Sequence, residues 1–270
     1  MATFLEYAQL SNFVYTANLK DLPNGHTITA LQSSIPLWRD GVDVSVVGDW
    51  VLVATMDRSV SGFFGAAFQK GQEVVVAYRG TVLDKIGDFL ADAAFASHLT
   101  ELINPQMEDA LALYQTVSAQ FKDAHLTITG HSLGGGLAQK AAMANDIQTL
   151  TFNAPGALHA ATFEQHMKFL RGDYDHLITN YVQAGDIFIG NNHLLKHAGQ
   201  VVVLNGDELG DTPEKMDPIL KLAYHAILNF NADALPDGSL NQAHVDHVRF
   251  EDKPGLMRDT ADALLAAQKS

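Results

Sequence analysis

The chain has 270 residues, of which 47% are hydrophobic, so it is long enough to bury the core of one large domain. It contains no cysteine, which excludes disulfides, a thiolate nucleophile and cysteine-ligated metals. The formal net charge of −14 at pH 7 argues against a nucleic-acid partner and against attraction to an anionic membrane by charge alone. Contact with a neutral lipid surface stays open. We predict a single domain over residues 1–270.

The sequence carries no visible signal for membrane insertion or cleavable export. No apolar run reaches the ~18 residues that a membrane-spanning helix needs. Residues Met1–Leu10 lack the basic start and the apolar stretch of a secretory signal. We therefore expect no transmembrane segment, and the compartment stays open between the cytoplasm and export without a cleaved N-terminal signal.

Apolar periodicity and turn residues divide the chain into alternating helix-like and strand-like segments. In chain order, the predicted elements are a helix over Tyr7–Tyr15, strands over Trp50–Met56, Gly62–Phe68 and Glu73–Tyr78, helices over Asp84–Ala96 and Pro105–Phe121, a strand over Leu126–Thr129, a helix over Leu137–Ala144, strands over Thr149–Phe152, Leu177–Val182 and Val201–Leu204, and a helix over Met216–Phe230. Such alternation is typical of an α/β fold, with a mainly parallel sheet and helices on both faces.

Three local patterns refine these elements. The turn residues Gln69–Gln72 join two strands as a hairpin. The apolar run Val74–Val76 indicates a strand that is buried on both faces. Pro105 is predicted near the start of its helix, because the first turn needs no backbone N–H from that residue.

The segment Gly130–Gly134 reads G-x-S-x-G and lies between a strand-like and a helix-like run. This is the context of a nucleophile elbow, in which the serine occupies a strained turn. Glycines two positions to either side let the strand and the helix pass closely, and the helix N-terminus adds positive partial charge. Ser132 is therefore the predicted nucleophile.

A serine nucleophile needs a histidine base and a carboxylate that orients it, and in this architecture the chain order is Ser, then Asp or Glu, then His. Asp186 follows the predicted Leu177–Val182 strand and is the preferred carboxylate, with Asp207 as the alternative. The histidines downstream of Asp186 are His193, His197, His225, His244 and His247. His225 is preferred because it follows the Val201–Leu204 strand, and His244 and His247 remain alternatives.

Two donors are expected for the oxyanion of the transition state. One is the backbone N–H of Leu133, which follows the nucleophile. The other is Thr81, through its N–H and hydroxyl, because it ends the strand that carries Val74–Val76. His244 and His247 form an H-x-x-H pair without a clear third ligand, which is weak evidence for zinc. We predict no metal and no organic cofactor.

Together these residues resemble the class 3 lipases, the family that includes the triacylglycerol lipases of filamentous fungi. The elbow residues match the family residue for residue, Tyr78 stands in the aromatic place before Arg-Gly-Thr, and Asn153 replaces a glycine. The matching segments are Tyr7–Ser11, Val75–Thr81, Ala91–Asp92, Thr129–Gly135, Thr151–Gly156, Asp186–Ile187 and His225–Phe230.

The resemblance implies an α/β-hydrolase fold and a lid formed by the Asp84–Ala96 helix, whose apolar face would meet lipid when open. The alternative is an ordinary helix that covers the sheet. The absence of the disulfides of secreted fungal members suggests a bacterial-type member.

The sequence thus predicts a serine hydrolase of lipid carboxylic esters, of the triacylglycerol lipase type, with Ser132, Asp186 and His225 as triad. Its expected partner is a lipid or another hydrophobic ester, and contact with a lipid–water interface is compatible with this expectation. The alternatives are a phospholipase A1, a short-chain or aryl esterase, and a non-catalytic ligand-binding module.

Overall fold

The computed structural model describes residues 1–35, 41–81, 95–186, 196–206 and 223–251, and for residues 95–104 it describes the backbone alone. Within these ranges, nine strands form one sheet whose spatial order follows their order along the chain. The strands are β1 (His26–Thr27), β2 (Val51–Arg58), β3 (Phe63–Lys70), β4 (Glu73–Tyr78), β5 (His125–His131), β6 (Thr149–Phe152), β7 (Ile178–Gln183), β8 (Gln200–Leu204) and β9 (Val245–Phe250).

The described helices lie before, between and after these strands. The α-helices are α1 (Phe4–Phe13), α2 (Ile28–Gln32), α3 (Val44–Val47), α4 (Phe95–Gln120), α5 (Leu133–Asn145) and α6 (Phe163–Arg171), and the 3-10 helices are Leu19–Asp21, Leu158–Ala160, Ile227–Asn231 and Gln242–His244. A capping box starts α1, because the Thr3 side chain accepts from the Glu6 N–H and the Glu6 carboxylate accepts from the Thr3 N–H.

The centre of the sheet is parallel and its two flanks are antiparallel. Strands β4 to β8 pair in parallel. Strands β1 to β4 form an antiparallel meander, which includes the predicted hairpin, and β9 runs antiparallel to β8. Because the central strands are parallel, the loops after β5, β7 and β8 leave the sheet at the same edge. This edge carries the candidate site.

Helices cover both faces of the sheet, as the sequence pattern predicted. On β4, Val75 and Ala77 belong to the apolar cluster that contains α1. Their neighbours Val74 and Val76 belong to the opposite cluster, which contains residues of α4 and α5. Since successive side chains of a strand point to opposite faces, this split confirms that β4 is buried on both sides.

Helix α4 differs from its prediction at its start. It begins at Phe95, so Pro105 lies inside it and the prediction that Pro105 starts the helix was wrong. Proline removes one backbone hydrogen bond and crowds the preceding turn. A helix of 26 residues keeps enough other bonds to continue through that defect. The predicted Asp84–Ala96 helix, and with it the lid, lies largely outside the described residues.

The prediction was also wrong for the two segments that flank the site. Helix α5 begins at Leu133, directly after Ser132, and not at Leu137. The predicted Met216–Phe230 helix does not continue to its end, because Ala226 is extended and a separate 3-10 helix follows it. Residues 216–222 lie outside the described part. Strand β9 was not predicted.

Candidate active site

Ser132 occupies the strained turn between β5 and α5. Its φ is +56° and its ψ is −133°, a backbone conformation that residues other than glycine rarely adopt. The Ser132 N–H donates to the carbonyl of Phe152 over 3.0 Å, and its own carbonyl accepts from the N–H of Gly135 over 2.9 Å. These bonds hold the turn from the neighbouring strand and from the helix, so the strain is maintained by the surrounding fold.

The two motif glycines lie where no side chain fits. A Cβ on Gly130 would lie 2.5 Å from the carbonyl carbon of Gly134, and a Cβ on Gly134 would lie 2.1 Å from the carbonyl oxygen of Tyr78. Both distances are far inside van der Waals contact. At Gly130 the close approach of β5 and α5 is thus the reason for the glycine, whereas Gly134 is required by the neighbouring strand β4.

The structure brings Ser132, Asp186 and His225 together. His225 Nδ1 lies 2.6 Å from Asp186 Oδ2, and His225 Nε2 lies 2.9 Å from Ser132 Oγ. Because a carboxylate only accepts, Nδ1 carries the proton, which leaves Nε2 free to accept the serine O–H. Asp186 and His225 are each 1% exposed and Ser132 is 9% exposed. This is the geometry of an activated nucleophile.

The alternative histidines that the structure describes lie elsewhere. His244 Nδ1 is hydrogen-bonded to Asp233 and His247 Nδ1 to Asp246, whereas the imidazole that bonds to both Asp186 and Ser132 is that of His225. His197 is buried beside Asn180, and burial lowers its pKa to about 3. Asp207, the alternative carboxylate, and His193 lie outside the described residues.

The loop after β4 lies directly against the elbow. A Cβ on Gly80 would lie 2.6 Å from the His131 carbonyl oxygen and 3.1 Å from Ser132 Cβ. Thr81 follows Gly80, and Leu133 is the first residue of α5. The two predicted oxyanion donors are therefore adjacent in sequence to groups that touch or form the elbow. Their role stays a prediction.

Sequence reasoning missed a second polar chain beside the triad. His131 Nε2 lies 2.7 Å from the carbonyl oxygen of His225. Because a carbonyl oxygen only accepts, this nitrogen is protonated and donates the hydrogen bond. The other ring nitrogen, Nδ1, lies 3.1 Å from the Tyr15 hydroxyl, which accepts from the Gly80 N–H over 3.0 Å. In the sequence, these hydrogen bonds were indicated only by the presence of a histidine, His131, between Gly130 and Ser132.

A sequence model of the Tle-like phospholipase domain, described as phospholipase-like, matches residues 6–226, which is most of the chain. The chain belongs to the Tle-like phospholipase domain family. Over 114 residues this family member is 34% identical to the extracellular phospholipase A1 of Serratia liquefaciens, a match that covers 42% of this chain. The matched part spans only about a third, 34%, of that phospholipase.

Solved structures similar to this Tle-like domain include fungal lipases. The triacylglyceride lipase of Rhizomucor miehei superposes with a TM-score of 0.55 at 13% identity, over 88% of this chain and 94% of that chain. The Lip2 lipase of Yarrowia lipolytica gives a TM-score of 0.52 at 16% identity, over 74% of this chain and 78% of that chain. At these identities the likeness shows the fold, and it confirms the predicted α/β-hydrolase fold and the resemblance to class 3 lipases.

None of the helices that the structure describes in this Tle-like domain combines the length and the apolar character needed to cross a bilayer. The His, Asp and Glu side chains of the described residues do not gather in a group of three that could hold a metal ion.

Proposed function

We propose that this Tle-like domain hydrolyses carboxylic esters of lipids through Ser132, His225 and Asp186. The observation that carries the proposal is the continuous chain of hydrogen bonds from Asp186 through His225 to Ser132, with distances of 2.6 and 2.9 Å. Its order along the chain is Ser, Asp, His, as the nucleophile-elbow architecture requires.

In the first half of the reaction, Ser132 Oγ attacks the ester carbonyl carbon and its proton passes to His225 Nε2. The carbonyl oxygen becomes an oxyanion, and Asp186 stabilises the imidazolium that has formed. The carbon–oxygen bond to the alcohol then breaks, and the alcohol leaves with the proton from His225. The acyl group remains on Ser132.

In the second half, water replaces the alcohol. The water oxygen attacks the acyl carbonyl carbon while His225 takes a proton from the water. The bond to Ser132 Oγ breaks, the serine regains a proton from His225, and the carboxylic acid leaves. No step needs a metal, an oxidant or a second substrate other than water.

The oxyanion would be held by the backbone N–H of Leu133 and by Thr81. Leu133 opens α5, so its N–H belongs to the first turn, where helix N–H groups lack partners within the helix. Removing one donor of such a pair typically reduces turnover by about 10²- to 10³-fold.

A triacylglycerol and a glycerophospholipid both present the ester that this triad would cleave. The phospholipase A1 alternative has specific support, because the family is phospholipase-like and the Serratia relative is named a phospholipase A1. Under either activity the substrate would be met at a lipid–water interface.

The test is hydrolysis of a triacylglycerol emulsion and of phosphatidylcholine vesicles by the wild type and by Ser132→Ala. We expect release of fatty acid from at least one of them by the wild type and none above background by the variant. Release from the sn-1 position of phosphatidylcholine alone would select phospholipase A1. Full activity of Ser132→Ala would refute the proposed mechanism, and failure of the wild type to hydrolyse any ester or to react with a fluorophosphonate would favour the ligand-binding module.

A further inference from the structure

Asn153 is a buried residue with an unusual backbone, and the triad described above does not use it. It directly follows β6 and is 0% exposed. Its φ is +43°, in the left-handed region that favours glycine and that asparagine enters at a modest cost. It is also the position at which the sequence departs from the glycine of the class 3 lipase pattern. The preceding residue, Phe152, accepts the hydrogen bond of the Ser132 N–H, so this strained residue lies next in sequence to a contact of the elbow.

The two ends of the Asn153 amide reach two different segments. Its Oδ1 accepts from the backbone N–H of Gln183 over 2.9 Å, and its Nδ2 donates to the backbone carbonyl of Tyr224 over 3.0 Å. Gln183 ends β7 and lies three residues before Asp186. Tyr224 directly precedes His225. A single side chain therefore ties the segment that carries the carboxylate to the segment that carries the imidazole.

Both segments transmit this restraint directly to the triad. The carbonyl of Gln183 accepts from the N–H of Asp186 over 2.9 Å, so Gln183 and Asp186 close one tight turn. Within that turn, Gly185 lies against the ring of Tyr224, where an added Cβ would come within 2.6 Å of a ring carbon. A shift of either segment would therefore change the distance between Asp186 and His225.

The backbone of the Asp186 turn and the backbone before His225 come from distant parts of the chain. Asn153 is separated from Gln183 by 30 residues and from Tyr224 by 71 residues. The carbonyl of Tyr224 also accepts from Asn229 over 3.1 Å, but Asn229 belongs to the same segment as His225. The two segments also meet directly where Gly185 lies against Tyr224, and the Asn153 amide adds a hydrogen bond to each of them from a third segment.

We infer that Asn153 is a positioning residue that sets the spacing between Asp186 and His225 by bridging the two segments with its amide. It acts through the backbone of Gln183 and Tyr224, so its loss should reduce turnover and leave substrate binding nearly unchanged. The inference rests on the proposed triad.

The informative substitution is Asn153→Gly. Glycine adopts the left-handed φ without strain, so this change relieves the backbone while it removes both hydrogen bonds. The matched control is Asn18→Gly, because Asn18 is exposed and also has a left-handed φ of +60°. The control measures the effect of the same substitution at the same backbone conformation away from the bridge.

The experiment measures kcat, KM and the pH profile of kcat/KM for a soluble p-nitrophenyl ester. Activity is expressed per serine that a fluorophosphonate titrates at completion, so that a loss of folded protein does not count as a loss of turnover. We expect Asn153→Gly to lose about 10- to 100-fold in kcat with KM within about threefold, as for a small misplacement of reacting groups. The acid limb of its profile should move to lower pH, because an imidazolium is less stabilised when its carboxylate moves away.

Two results would overturn the inference. In one, Asn153→Gly keeps wild-type kcat per titrated serine and an unshifted acid limb. In the other, Asn18→Gly loses as much kcat as Asn153→Gly, which would assign the loss to the backbone change. Ser132→Ala, assayed in the same series, keeps the two claims apart. Activity in that variant would reject the triad itself, whereas its inactivity together with a normal Asn153→Gly would reject only the bridge.

Discussion

His131 donates a hydrogen bond of 2.7 Å from Nε2 to the backbone carbonyl of His225, so the residue that precedes the proposed nucleophile holds the backbone of the proposed base. Their ring centroids lie 4.8 Å apart, and both residues are buried. The elbow thus holds both Ser132 and, through His131, the backbone of the histidine proposed to activate it.

The first prediction concerns this bond. His131→Ala removes the donor, and we expect kcat to fall about 10-fold because His225 then loses one restraint on its backbone. Tyr15→Phe removes only the hydroxyl that lies 3.1 Å from His131 Nδ1 and should cost less than His131→Ala. The measurement is kcat per titrated serine. The restraint has no catalytic value if His131→Ala turns over at the wild-type rate.

The second prediction concerns Thr81 as an oxyanion donor. Thr81→Ser keeps the hydroxyl and should keep turnover within a few-fold. Thr81→Val keeps the shape and removes the hydroxyl, so we expect a loss of about 10²-fold if the hydroxyl donates. Steady-state kcat on a p-nitrophenyl ester compares the two variants. Equal activity of Thr81→Val and Thr81→Ser would exclude the Thr81 hydroxyl as an oxyanion donor, and residue 81 could then contribute only its backbone N–H.

The third prediction separates the steric and conformational roles of glycine. Gly134→Ala places a methyl 2.1 Å from the Tyr78 carbonyl oxygen, so α5 must move away from β4 and carry the elbow with it. Gly71→Ala at the hairpin turn meets no atom within 4 Å, although its φ of +60° is strained for alanine. Each should lower the free energy of unfolding by about 1–3 kcal/mol.

The two glycine variants should differ in their reaction with a fluorophosphonate. We expect Gly71→Ala to label at the wild-type rate and Gly134→Ala to label much more slowly. The measurement is the second-order rate constant of labelling at a temperature where both variants are folded. Wild-type labelling of Gly134→Ala would show that the close approach of α5 to β4 is not needed at the serine.

The fourth prediction concerns pH and His197. Burial lowers the pKa of His197 to about 3, whereas an unfolded histidine titrates near 6.5. Between these values the unfolded state binds a proton that the folded state does not, so the free energy of unfolding falls as pH decreases, by about 1.4 kcal/mol per pH unit. His197→Gln, which cannot titrate, should flatten this dependence.

The measurement for His197 is chemical denaturation at several pH values between 7 and 4. The exposed His176 supplies the control, since His176→Gln should keep the wild-type slope. An identical slope in wild type and His197→Gln would mean that other groups cause the loss of stability in acid.

The elbow could be predicted from sequence because its cause is local. A Cβ on Gly130 would meet Gly134 and Gly135, which lie four and five residues further along the chain. Asp186 could be predicted almost as well, because it follows a readable strand. Gly134 lies against Tyr78 of the distant strand β4, and it was found because the motif names both glycines.

The other parts of the site depend on contacts between distant segments. The histidine could not be chosen uniquely, because three candidates followed Asp186 at distances that allowed a return to the sheet edge. Tyr15 and His131 are 116 residues apart, and nothing in either local pattern indicates that they meet. Strand β9 was missed because its side chains are mostly exposed, so that the alternation of a half-buried strand is absent.

The central claim is that His225 activates Ser132, and the most direct test compares His225→Ala with His244→Ala in the hydrolysis of a long-chain p-nitrophenyl ester. His244 also pairs with a buried aspartate, Asp233, but it lies outside the triad. The account predicts a loss of about 10⁴-fold or more in kcat for His225→Ala and wild-type activity for His244→Ala. Retained activity in His225→Ala together with an inactive His244→Ala would contradict it.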